Sequence, residues 1–209
     1  MNGIEIHEYS RDEYQIVIRK KIDSLKIIKP YATKTKMLRF RENDDLRTLN
    51  PLRNFVQLTF LDCSENPNLQ ITGNIFSKLV NLKYLHCNYC RSISFTGFGN
   101  YSSNRLEHII CASSNLKSFD GLQWLTKLKY IECSFNRHLK SFKGIPSSVL
   151  DIYHYMTPLC ERGDMISVTM EKVHELSGTK KFAKLTEHLE NSYLSWIFKI
   201  NLMNIYEYF

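Results

Sequence analysis

One phrase recurs along this chain at nearly constant spacing: LTFLDCSEN from Leu58, LKYLHCNYC from Leu82, LEHIICASS from Leu106 and LKYIECSFN from Leu128. Aligned, the copies share the frame L-x-x-L-x-C-x-x-N. The anchors are Leu58, Leu61, Cys63 and Asn66 in the clearest copy, then Leu82, Leu85, Cys87 and Cys90, then Leu106, Ile109, Cys111 and Ser114, then Leu128, Ile131, Cys133 and Asn136. Successive first anchors are 24, 24 and 22 residues apart. Looser copies flank them, with Thr35, Leu38, Phe40 and Asn43 before and Val149, Ile152, His154 and Thr157 after. Further upstream, Ile16 and Ile18 in EYQIVIRK read as a short strand capping the first copy. Such repetition is either a metal or redox site copied several times or one structural unit of a stack, and the two predict different functions.

A period of about 20 to 29 residues with this frame resembles the leucine-rich repeat, and the resemblance runs from Thr35 to Leu159. The stretch NLKSFDGLQWLTKLKYIECSFN is most similar to the short intracellular type found in phosphatase regulators and bacterial internalins. LQITGNIFSKLVNLKYL is a less regular variant, and GIPSSVLDIYHYMTPL resembles the Pro-Ser-Ser form, with His154 and Thr157 in place of the usual Leu or Cys and Asn. The resemblance implies an α/β fold: a leucine-rich-repeat solenoid with a curved parallel sheet on its concave side, short helical turns on its convex side and a C-terminal helical cap. It speaks to architecture rather than function, because the same scaffold serves many unrelated proteins.

Physical chemistry favours the stack over the copied site. Side chains alternate across a strand, so the fourth and sixth positions of each copy point inward together while the third, fifth and seventh point out. Cys63, Cys87, Cys111 and Cys133 then form one interior column bounded by Phe40 and His154, and cysteine fills such a column as a small, near-apolar side chain. The ninth position turns the chain away from the strand, where Asn bonds the backbone groups left unpaired, and Ser, Thr or Cys do so more weakly. Cys87 and Cys90 are therefore not a redox or zinc C-x-x-C, since one belongs to the interior column and the other to the turn, and no further ligands converge on them. No metal and no cofactor are expected. Apolar residues three apart in the second half of a copy, such as Phe76, Leu79 and Leu82 or Leu122, Leu125 and Leu128, predict tight helical turns on the convex side.

The outward positions of neighbouring strands merge into one surface. Its third column reads Met37, Phe60, Tyr84, His108, Tyr130 and Asp151; its fifth Arg39, Asp62, His86, Ile110, Glu132 and Tyr153; its seventh Arg41, Ser64, Asn88, Ala112, Ser134 and Tyr155. An aromatic stripe with charges beside it is what a protein-binding site needs, although stacked rings also stabilise a sheet by cross-strand contact alone. The expected partner-binding residues are Phe60, Asp62, Tyr84, His86, His108, Tyr130, Glu132, Tyr153 and Tyr155. Asp62 and His86 share a column without a nucleophile or an oxyanion-hole loop beside them, so they read as a solvated ion pair rather than a catalytic dyad. An enzyme is not expected.

The formal charge of +7 is spread among acidic residues rather than gathered in a run, which points only weakly to nucleic acid. Arg39 and Arg41 are the candidate basic contacts for phosphate or nucleic acid, blunted by Glu42, Asp44 and Asp45 nearby. The start, MNGIEIHEYSRDEY, is polar and acidic rather than signal-like, and with six cysteines read as free thiols the expected setting is intracellular: cytoplasm or nucleus, or a host cell or virion if the source is viral. YLSWIFKINLMNIYEYF is interrupted by Lys199, Asn201, Asn204 and Glu207, so no membrane span is expected.

After Cys160 the frame stops. Ile166, Met170, Val173 and Leu176 fall on one helical face ending at Gly178, and a second helix follows from Thr179. Tyr193, Trp196, Ile197 and Ile200 continue helical spacing as a docking helix for a partner or for self-association, or as part of the cap. The expected organisation is a β cap and basic segment over 1–34, repeats over 35–160 and a helical cap or docking segment over 161–209. The expected function is a non-enzymatic scaffold that binds another protein through the concave face. The alternatives are a structural component of a larger assembly docked through the C-terminal helices, or a basic module contacting nucleic acid or phosphate.

Overall fold

The computed structural model of the protein describes residues 3–10, 13–19, 21–98, 105–159 and 168–169, all within one compact unit, Met1–Thr169. The strands are β1 (Ile4–Ser10), β2 (Glu13–Ile18), β3 (Thr35–Phe40), β4 (Phe60–Asp62), β5 (Gln70–Thr72), β6 (Tyr84–His86), β7 (Ser92–Ser94), β8 (His108–Ile110), β9 (Tyr130–Glu132), β10 (Asp151–Tyr153) and β11 (Val168–Thr169). Among the described residues nine of them form one sheet in the order β1-β2-β3-β4-β6-β8-β9-β10-β11. Every pairing from β2 to β10 is parallel, and the two end pairings are antiparallel. This is the mostly parallel sheet of short strands that the repeat frame predicts.

The register follows the frame residue for residue. Leu38, Leu61, Leu85, Ile109, Ile131 and Ile152 pair in sequence across the sheet, and all six are fully buried. Cys63, Cys87, Cys111 and Cys133 form the parallel interior column, also fully buried, between Phe40 and His154. Their thiols sit against backbone of the next strand: Cys63 Sγ lies 3.4 Å from His86 O, Cys87 Sγ 3.4 Å from Ile110 O and Cys133 Sγ 3.2 Å from Tyr153 O. Burial raises all four thiols well above the usual range. They pack as apolar filler and present no thiolate for chemistry.

Away from the sheet, the second halves of the copies make short 3-10 turns at Asn50–Asn54, Gly73–Ile75 and Leu122–Trp124. A second sheet, β5 with β7, lines part of this side. Tight spacing between copies is enforced where Gly121, at φ 102°, leaves no room for a side chain beside Phe95 O, a conformation only glycine adopts without strain.

The ends of the sheet differ from expectation. EYQIVIRK does supply β2, but β2 is the second strand of a hairpin whose first strand, β1, pairs Ile4 with Ile18 and Ile6 with Ile16. The hairpin gives the first copy a paired edge instead of a lone strand. A 3-10 helix at Leu25–Tyr31, capped by Ser24 Oγ accepting from Lys26 N at 3.2 Å, buries Leu25 and Ile28 beneath it. At the other end, Val168 and Thr169 fall where a helix is expected from Ile166, yet they form a strand antiparallel to β10. The backbone bonds of the last edge strand are thereby met by a strand rather than by a helix. The rest of the expected helical cap lies outside the described residues.

Candidate interaction surface

The ninth position of each copy sets the geometry of the outward face, because it decides where each strand ends. Asn66 is buried, and its Nδ2 donates to Phe40 O at 3.2 Å, Cys63 O at 2.8 Å and Ser64 O at 2.9 Å while its Oδ1 accepts from Asn43 N at 3.0 Å. Asn136 repeats this, donating to Cys111 O, Cys133 O and Ser134 O and accepting from Ser114 N and Leu116 N. At Cys90 and Ser114 the shorter side chains make fewer bonds, Cys90 Sγ lying 3.2 Å from Cys63 O and Ser114 Oγ donating to Cys87 O at 2.5 Å.

The turn has a second requirement that no residue type announced. The eighth residue of every copy has positive φ: Glu42 at 58°, Glu65 at 59°, Tyr89 at 53°, Ser113 at 52°, Phe135 at 60° and Met156 at 55°. These are unusual residues for the left-handed region, and three of them, Tyr89, Phe135 and Met156, are large, apolar and exposed.

On the outward face the third-column residues meet ring to ring. Centroids are 6.4 Å apart for Phe60 and Tyr84, 5.0 Å for Tyr84 and His108, 5.7 Å for His108 and Tyr130, and the row continues to Tyr153 at 5.4 Å from Tyr130. All five rings are half-buried. The Arg39 guanidinium lies over the Phe60 ring at 5.9 Å, and the exposed Tyr155 meets exposed Phe135 edge to face at 5.5 Å. The face thus carries a continuous aromatic row across five strands.

The fifth and seventh columns correct part of the expectation. Asp62 is not at the surface but fully buried. Its Oδ2 accepts from Arg41 Nη2 at 2.6 Å and Nε at 2.9 Å, lies 3.4 Å from Arg39 Nε, and its Oδ1 accepts from Ser64 N at 3.1 Å. Burial pushes this carboxyl up, but the Arg41 guanidinium outweighs it and holds the group below the usual carboxylate range. Asp62 therefore orders its neighbours and offers nothing to a partner. Nor is it in a solvated ion pair with His86: burial, with Arg41 and Arg39 adding to it against the pull of Asp62, lowers the imidazole to about 4 and leaves it neutral. His86 instead meets the Phe60 ring at 5.0 Å. Arg39 and Arg41 are likewise committed to Asp62 and, for Arg41, to Glu65 at 3.9 Å, which weakens their reading as free phosphate contacts.

Glu132 and Asp151 are half-buried at the far end of the row, and burial raises both carboxyls. The expected docking residues Tyr193, Trp196, Ile197 and Ile200 lie outside the described residues. Among the described residues no group of three or more His, Cys, Asp or Glu is placed to hold a metal ion, and no helix is long and apolar enough to cross a membrane.

No family model matches the chain. Among curated proteins it is similar to lumican of Mus musculus and of Rattus norvegicus, each 32% identical over 120 residues that cover 47% of this chain and 36% of the relative. It is also similar to lumican of Oryctolagus cuniculus, 31% identical over 120 residues, covering 47% of this chain and 62% of the relative. The chain spans about a third of the length of the mouse and rat relatives. Lumican is a small leucine-rich-repeat proteoglycan, and this distant similarity supports the leucine-rich-repeat architecture but not its short intracellular type.

Proposed function

We propose that the chain is a non-enzymatic scaffold that binds another protein through the outward face of its parallel sheet. The observation that carries this reading is the unbroken contact of Phe60, Tyr84, His108, Tyr130 and Tyr153, all half-buried, across five neighbouring strands. A row serving only cross-strand stability needs no such continuity over five strands; a partner that lays an extended segment across the strands does. The similarity to lumican, a non-enzymatic leucine-rich-repeat protein, supports the same class.

The intracellular setting belongs to this proposal and rests on the buried free thiols of Cys63, Cys87, Cys90, Cys111 and Cys133, which a reducing compartment preserves; the relatives lend it no support. Affinity capture from the native source with the wild-type chain and with a Tyr84→Ala/Tyr130→Ala variant tests the proposal. A partner retained by the first and lost by the second supports it. A partner equally retained by both, or one released steeply by added salt as phosphate contacts are, overturns it.

A further inference from the structure

The second sheet is cut short. β5 and β7 pair in parallel over Gln70–Thr72 and Ser92–Ser94, and the next copy, where a third strand would follow, runs through 115–118 without forming one. That copy is two residues shorter than the one before it, since Leu82 and Leu106 stand 24 apart and Leu106 and Leu128 22. Ile93 N still donates to Ser114 O at 3.0 Å, but at the following residue, Asn115, the backbone turns left-handed at φ 51°. Among the described residues Asn115 is the one non-glycine residue with positive φ outside the eighth position, and Asn is among the side chains that tolerate that region best. Here β7 and the shortened copy bound a groove of about 500 Å³.

One wall of the groove carries Arg91, Ser92 and Ser94 together with buried Ile93; the other carries Asn115, Lys117 and Ser118. The lining thus holds two cations and no carboxylate. The nearby Asp120 is engaged by Ser118, whose Oγ donates to Asp120 Oδ2 at 2.9 Å and accepts from Asp120 N at 3.4 Å. Across the groove, Ser94 Oγ accepts from Thr96 N at 3.3 Å. Each hydroxyl is therefore oriented by its own chain, Ser94 with its proton to give and Ser118 with a lone pair to accept. Small-molecule sites of this volume are lined mainly by apolar side chains. This lining is polar except for Ile93, so it suits a ligand rich in oxygen rather than an apolar one.

We infer that this groove binds a small phosphate monoester that also bears hydroxyl groups, a sugar phosphate in its chemistry. Arg91 and Lys117 receive the phosphate: two cations match a dianion, and charge-assisted hydrogen bonds to phosphate oxygens are the strong ones. Ser94 donates to an ester or phosphate oxygen, while Ser118 and the Asn115 amide take the hydroxyls of the ligand, since a hydroxyl both gives and accepts a hydrogen bond. The site belongs to the second sheet and uses none of the aromatic row, so it stands independently of the protein interface proposed above.

Titration of the whole chain with glucose 6-phosphate, followed by calorimetry, provides the test, with glucose and inorganic phosphate as separate probes. The expected result is binding of the ester at millimolar concentration or below, tighter than either probe that carries only half of its chemistry. An Arg91→Gln/Lys117→Gln variant should bind the ester about tenfold or more weakly. An Arg53→Gln/Lys78→Gln variant, which removes the same charge at exposed residues elsewhere, should bind as wild type does. Should the first double variant fail to fold, the single Arg91→Gln and Lys117→Gln chains, each losing part of that factor, give the same comparison. No binding of the ester, equal binding of inorganic phosphate, or equal losses in the two charge variants overturns the inference. Loss of binding in a Tyr84→Ala/Tyr130→Ala chain would move the ligand to the outward face and overturns it as well, whereas failure of the groove alone leaves the protein interface standing.

Discussion

Asp62 and Glu132 occupy the same column of the sheet, yet Asp62 lies 2.6 Å from Arg41 Nη2 while Glu132 Oε1 accepts from the Ser134 backbone N–H at 2.9 Å. A guanidinium from the neighbouring strand's end holds the first carboxylate; Ser134, two residues further along its own chain, holds the second.

Removing Arg41 tests the first half of that contrast. A buried ion pair that loses one partner costs about 3–5 kcal/mol, but Arg41 is 37% exposed and Arg39 remains nearby. Arg41→Ala should therefore lower stability by roughly 2 kcal/mol in urea denaturation. An unchanged midpoint would show that Asp62 is held by other groups.

His86 and Asp62 should both make the fold acid-sensitive, in different windows. His86 titrates near 4 in the folded chain, below its unfolded value of about 6.5. Its stabilisation is present above pH ~6.5 and is lost as pH falls toward 4, on the order of 3 kcal/mol over that window. Asp62, whose folded value is depressed, keeps its contribution above its unfolded value of about 3.9 and loses it only at lower pH. His86→Gln should flatten the stability profile between pH 6.5 and 4 and leave the steeper loss below it. A profile identical to wild type would mean that His86 is not held neutral.

The turn asparagines should be worth more than their substitutes. Asn66→Ala leaves buried backbone groups unpaired at Phe40, Cys63, Ser64 and Asn43 and should cost roughly 2–4 kcal/mol, several unmade bonds at about 1 kcal/mol or more each. Asn66→Ser, the residue the chain itself uses at position 114, should cost less. Equal losses for the two, measured by denaturant midpoint, would assign the effect to packing.

Thiol labelling of the native protein should be slow at Cys63, Cys87, Cys90, Cys111 and Cys133, all buried, and fast once the chain is unfolded, as peptide mapping after a labelling pulse reports. Rapid native labelling at any of the four sixth-position cysteines contradicts the interior column.

On the partner-binding side, Tyr84→Ala with Tyr130→Ala should weaken binding by more than about 2 kcal/mol if both are central to the contact, with an unchanged melting curve. Changes at Lys78 and Lys127, exposed and off the sheet face, should leave binding as it was. The reverse pattern would move the site to the other side of the chain.

Much of the architecture was legible because period and alternation are strong signals. The frame fixed the register of six strands, and with it the order of Phe60, Tyr84, His108 and Tyr130 across the sheet. Three kinds of feature were not legible. β5 and β7 are three residues each, too short for alternation to stand out. The left-handed eighth positions are filled by Glu, Tyr, Ser, Phe and Met, none of which marks such a turn. The pairing of Asp62 with Arg41 reaches across 21 residues, and the outward parity of its column concealed that Asp62 is buried. Alternation says which way a side chain leaves the strand and not how deep its neighbours cover it.

The asparagine turns also give the stack a direction. Asn66 reaches back to Asn43 and Phe40, and Asn136 reaches back to Ser114, Leu116 and Cys111, so each copy's turn is completed by the copy that follows it. Loss of a copy from the C-terminal side therefore undoes its predecessor, whereas loss from the N-terminal side leaves its successor's own turn largely intact. Where the tie is Cys90 or Ser114 rather than Asn, the stack has a seam. Hydrogen exchange should register that seam as earlier opening around Cys90 and Ser114 than around Asn66 or Asn136, making this repeat array a ratchet with its softest tooth in the middle.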